Sequence, residues 1–354
     1  MLYVSTRNPA DSFTAYRALH EDRTPDGGLF APHRLNVLSQ NELRELSGMT
    51  FGERVARILN IFFPVALTGW DVDFVIGRHS VKMTTMNHRI HVAELWHNLK
   101  SDFLHTERAL FSKLCAQNQV ATATTAWARV AIRIAILAGI IWETDTDLDS
   151  GIDFAYFTGD YCFILAAWYA RMMGFPIGRI ICTSDEQDYA WDLLHKGEYS
   201  PVRSGCASEY PDLVYLELLI FAMYGTDEVQ RYTKACMNGT VFRLNDEQLA
   251  YLNSNLDSAV VSRTKVVGLI RSIFRTHDYI SDPCMAIAYV GLQNYRSRTG
   301  FSCATLLLSQ GADIKGVQEI LGHSDASTTL NFYVKSNIQQ MRSATDKLST
   351  AFNL

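Results

Sequence analysis

The chain has 354 residues, 48% hydrophobic and 19% charged, which is long enough for several packed layers and more than one domain. A formal net charge of -5 leaves no electrostatic footprint for a polyanion, so nucleic acid and anionic membrane surfaces are poor general partners. Seven cysteines, odd in number and without a CxxC spacing, argue against a disulfide framework or a zinc site and fit a cytoplasmic protein.

The opening Met1-Leu-Tyr-Val-Ser-Thr-Arg7 lacks the basic patch and apolar run of an export signal. It reads as a strand, followed by a helix from Ser12 as N-cap through Leu19 and a turn at Gly27-Gly28. Helices are expected near Gln40 to Leu46, after Ser39 as cap, and from Phe51 to Phe62, where Phe51, Val55, Ile58, Leu59 and Phe62 fall at helical spacing. From Val72 to Val92 strand and loop both remain open. Glu107 to Cys115 and Trp127 to Trp142 read as helices; Val130 to Trp142 is too short to span a bilayer and contains Arg133. Asp153 to Phe157 reads as a buried strand, Ile164 to Met173 as a helix ended by Gly174 and Pro176, and Ile177 to Thr183 as a strand. Strand, helix, strand implies a parallel sheet. Further helices are expected over Leu213 to Met223, Glu228 to Met237, Asp246 to Asn255 and Thr264 to Thr276, and from Asp282-Pro283 through Tyr289.

Several fragments fall in an order that carries more information than any one of them. Tyr3-Val-Ser5-Thr6-Arg7, Ser12-Phe13 and Asp26-Gly27-Gly28-Leu29-Phe30-Ala31-Pro32 resemble the N-terminal signature of threonine synthase. Ala93-Glu94-Leu95-Trp96-His97 resembles the strand end before that family's His-Gly-Pro-Thr-x-Ala-Phe-Lys-Asp loop. The resemblance implies an α/β chain with the fold of type II pyridoxal-phosphate enzymes. It also implies a lyase of threonine biosynthesis that converts O-phosphohomoserine, a phosphorylated amino acid, to threonine through an imine between the cofactor and a lysine.

The chemical positions depart from that pattern. The loop here is His97-Asn98-Leu99-Lys100-Ser101-Asp102-Phe103-Leu104-His105, so Leu104 stands where the family has its lysine, and a leucine forms no imine. Lys100 is a weak substitute: it shares a face with Leu104 only if the segment is helical, and a displaced amine would have to recover bonding geometry. Thr158-Gly159-Asp160-Tyr161-Cys162 resembles the phosphate loop, in which glycines let backbone N–H groups face a phosphate at a helix start. Cys162 replaces its second glycine, and Asp160 brings negative charge toward a dianion. Cys115 is followed almost directly by Trp127-Ala128-Arg129, which resembles an Ile-Asn-Trp-Ala-Arg helix, so the segment with the family's Ser-Gly-Asp-Thr-Gly loop has no counterpart. Such a loss predicts an uncovered apolar sheet face. Thr183 to Asp188, Tyr215 to Phe221 and Asp282 to Ala288 resemble further family segments, each with a polar member replaced.

From Cys303 through Leu321-Gly322-His323 to Tyr333 the chain resembles the end of a tyrosine recombinase, which implies His323 and the nucleophile Tyr333 acting on a phosphodiester. The box-two arginine position falls on Gly300, with Arg296 and Arg298 nearby. The tail balances Lys315, Lys335, Arg342 and Lys347 against Asp313, Glu319, Asp325 and Asp346, which is poor for DNA. An amphipathic helix over Ile314, Val317, Ile320 and Leu321 explains the same residues.

The expected organisation is a threonine-synthase N-terminal-like domain over 1–85, a shortened cofactor domain over 86–300 and a recombinase-like helical tail over 301–354. The function expected is a threonine synthase homologue impaired at Leu104. Two alternatives stand beside it: a non-catalytic small-molecule binding module, and DNA strand transfer through Tyr333.

Overall fold

The structure, a computed structural model, describes residues 1–76, 81–87, 89–95, 103–116, 124–144, 151–186, 190–201, 213–301 and 303–309. Leu2–Ser5 (β1) pairs antiparallel with both Ser12–Thr14 (β2) and Phe30–Pro32 (β3). Phe13 and Phe30 meet edge to face beneath this small sheet, 5.4 Å apart. Ser12 is therefore a strand residue, opposite Val4, and not the expected helix cap. Thr14 caps Ala15–His20 (α1), its Oγ1 accepting from the Arg17 N–H. Helices Gln40–Ser47 (α2) and Phe51–Phe62 (α3) start where expected, each with a capping box, Ser39 with Glu42 and Thr50 with Glu53. Gly69–Ile76 (α4) resolves part of the region left open.

The main sheet has six strands: Lys82–Asn87 (β4), Ile90–Glu94 (β5), Ile152–Phe157 (β6), Ile177–Asp185 (β7), Leu256–Val261 (β10) and Thr305–Ser309 (β11). Their order is β10-β7-β6-β11-β5-β4, parallel throughout except for β4. Glu198–Tyr199 (β8) and Phe242–Arg243 (β9) form a separate antiparallel ribbon. Residue 85 falls inside β4, which belongs to the large sheet. Residues 305–309, read as the start of a helical tail, are a strand between β5 and β6. The reason is burial: Leu306, Leu307 and Leu308 are at most 2% exposed, packed on both faces as a central parallel strand requires.

Helices cover both faces. Phe154, Tyr156, Ile180, Leu306 and Leu308 pack with α3 and with Phe103–Leu114 (α5), Ala126–Ile141 (α6) and Tyr161–Met172 (α7). Ile90, Val92, Ala155, Ile181 and Leu307 pack beneath Val266–His277 (α12) and Pro283–Thr299 (α13). The bare face expected from the short stretch between Cys115 and Trp127 is absent among the described residues. The remaining helices are Trp191–Lys196 (α8), Leu213–Tyr224 (α9), Thr226–Asn238 (α10) and Asp246–Asn255 (α11).

Candidate functional site

The five parallel strands end at one edge, and β11 enters between β5 and β6, where chain order reverses along the sheet. Open α/β sheets bind ligands outside the carboxyl ends of their strands at such a reversal. The polar side chains at this edge are mostly tied to one another. Ser309 Oγ donates to Asp282 Oδ2 at 2.7 Å, and Asp282 also caps α13 by accepting from the Met285 N–H. Thr84 Oγ1 donates to Glu94 Oε1 at 2.6 Å, and Lys82 Nζ lies 3.4 Å from Glu94 Oε2. The Lys82 amine is thus already ion-paired.

The Thr158 turn follows β6 at this edge, whereas Gly300, Arg296 and Arg298 lie at the opposite one, beside the starts of β10 and β11. Thr158–Asp160 is a single 3-10 turn leading into α7, with Thr158 Oγ1 2.5 Å from Ser184 Oγ. Gly159 is required by packing: a methyl there would lie 2.1 Å from Cε1 of Phe157. Tyr161 and Cys162 are buried. The side chain of Asp160 lies outside the described residues, as do His97, Lys100, His323 and Tyr333. Leu104 is the second residue of α5 and 45% exposed, while its neighbour Phe103 is buried against Phe163, ring centroids 5.3 Å apart. The match at Phe103 is a packing match. Gly300 caps α13 at φ 72°, and the arginines beside it are engaged: Arg296 donates to Cys303 O and Thr305 Oγ1, and Arg298 to Asp257.

A more open group was missed from sequence. In the first turn of α6, Arg129 Nε lies 2.7 Å from Glu107 Oε1 and donates to Thr124 Oγ1 at 3.4 Å. One turn later Arg133 Nε donates to Glu107 Oε2 at 2.9 Å, its guanidinium stacked over Phe163 and Phe103. Glu107 is fully buried, while a quarter of the Arg129 side chain is exposed. Its two terminal nitrogens have no partner among the described residues, which leaves the fork that matches a carboxylate or phosphate available. Burial works against this guanidinium's charge, yet Tyr215 and Glu107 beside it hold its pKa above the ordinary value. The Tyr215 hydroxyl, within electrostatic reach of Arg129, is raised well above 10 chiefly by burial. Two arginines four residues apart on an otherwise apolar helix were the available signal, since each buried cation demands an acid.

Residues 2–78 match the family model described as threonine synthase N terminus. Threonine synthase-like 1 of Homo sapiens is 25% identical over 158 residues, 42% of this chain and 21% of that protein, so the match spans about a fifth of the relative's length. The PLP-bound threonine synthase of Brucella melitensis superposes with a TM-score of 0.75 at 17% identity, covering 92% of each chain. A 46-residue stretch is 48% identical to tyrosine recombinase XerA of Thermococcus kodakarensis, 13% of this chain and 16% of that protein. The fold is therefore that of threonine synthase, a type II pyridoxal-phosphate enzyme fold, and residues 2–78 match that family's N-terminal domain.

Proposed function

We propose that this chain is a threonine synthase homologue that still holds a small phosphorylated or carboxylated ligand at Arg129 but does not perform the family's imine chemistry. The single observation that carries this reading is the pairing of an available Arg129 fork with an aliphatic side chain at 104. Pyridoxal phosphate, when bound in this fold, supplies an electron sink for amino-acid chemistry. The residues present do not fit it. Leu104 offers no nitrogen, and Lys82 is held by Glu94. The division into an N-terminal module, a shortened cofactor domain and a tail belongs to the same proposal.

Two measurements test it together. Calorimetry with inorganic phosphate and with O-phosphohomoserine should show binding that Arg129→Gln abolishes, because one charge-assisted fork is lost. Borohydride reduction with pyridoxal phosphate, followed by peptide mapping, should leave no specifically labelled lysine. Stoichiometric label on Lys100 or Lys82 would overturn the second half, and unchanged phosphate binding in Arg129→Gln the first. DNA strand transfer is disfavoured by the engagement of Arg296 and Arg298 in holding the α13–β11 connection and Asp257.

A further inference from the structure

We infer that Glu107 is the positioning residue of the Arg129 anion site, fixing the direction in which its fork points; this rests on the reading of Arg129 given above. Glu107 stands one helical turn after Leu104 on α5, and nothing in the threonine synthase resemblance calls for an acid there. Its two oxygens do separate jobs. Oε2 is anchored by Arg133, whose guanidinium packs against both Phe103 and Phe163 and which is 1% exposed. Oε1 then meets Arg129 at Nε and accepts from Thr124 Oγ1 at 3.3 Å. Contact through Nε matters because it leaves both terminal nitrogens without a hydrogen bond to the described residues. An arginine held by its terminal nitrogens would instead point its fork at the protein. A long side chain that is a quarter exposed otherwise samples many rotamers, and ordering it on binding costs affinity.

Charge alone predicts the opposite role. A carboxylate beside an anion site repels the ligand, so as a bare charge Glu107 would weaken binding. Glu107→Asp separates the two effects: it keeps the charge but is one methylene too short to bridge Arg133 and Arg129. Positioning predicts that Glu107→Asp weakens inorganic phosphate binding by roughly two- to tenfold, the value of one side chain left unordered. In an Arg129→Lys background, where no Nε exists to be held, the same change should make no further difference. Thr124→Val, which removes the second contact on Oε1 at a partly exposed position, should weaken binding in the same direction and is available should Glu107→Asp fold poorly. Urea unfolding of each variant shows that the folded protein is being titrated.

Wild-type affinity in Glu107→Asp, or an equal loss in the Arg129→Lys background, overturns the positioning role and leaves the anion site standing. Absence of phosphate binding by the wild type, or equal binding by Arg129→Gln, removes the site itself.

Discussion

Trp127 joins parts of the protein that are far apart in sequence. Its indole meets Tyr3 at 5.7 Å, Phe62 at 5.6 Å and Tyr169 at 5.4 Å, so β1, α3, α6 and α7 share one aromatic cluster. Trp127→Ala should lower the unfolding free energy by about 3 to 5 kcal/mol in urea titration, through lost transfer energy and a cavity that rigid neighbours cannot close. Asp153 gives a prediction in pH. Burial raises its pKa above 3.8, although the Arg179 N–H at 2.8 Å and the charges of Arg296 and Arg179 pull the other way. The unfolded chain therefore ionises this group first, and folding loses stability as pH climbs from the ordinary aspartate range through the raised value. Asp153→Asn keeps the acceptor and cannot ionise, so its stability relative to the wild type should rise across that window and level off above it; a difference constant in pH would exclude this cause. Residue types announced the first half of the site. Leu104 was legible because it breaks a pattern, whereas the Glu107 bridge was not, because a buried ion network is set by which helix faces meet.

At the scale of elements, capped and amphipathic helices were legible within a residue or two, as with α2 and α3, because their stop and start signals are local. Strands defined by their neighbours were not. β10 follows α11 without a break and carries Asp257, which reads as a turn; Arg298 and Arg179 beside that carboxylate let it lie in a sheet. β11 was hidden by the tail resemblance. Its place in the sheet makes a strong prediction: a chain ended after Gly300 should lose cooperative unfolding and bind a hydrophobic dye, since β5 and β6 lose their shared partner. A truncated protein with a sharp transition in circular dichroism would show that the two halves close on each other without it.

Across the whole molecule, the first strand and the turn after it are tied to the rest by polar contacts as well as by Trp127. Arg7 grips Glu217 of α9 through Nε and Nη2 at 3.2 and 2.8 Å, and Thr6 Oγ1 donates to the same carboxylate at 2.6 Å. The Ser-Thr-Arg signature thus identifies an interlock, which is why it was informative about fold and silent about chemistry. The position of β11 also bears on how the protein comes into being. Thr305 pairs with Ile90, 305 − 90 = 215 residues earlier in the chain. Contacts of that span form slowly, because a long loop must close before any pairing rewards it. At a synthesis rate of roughly 5 to 20 residues per second, β5 and β6 wait many seconds with facing edges unpaired, and such edges are templates for pairing with other chains. Until β11 is made, the described strands of the large sheet fall into two groups, β4–β5 and β6–β7–β10, and β11 joins them.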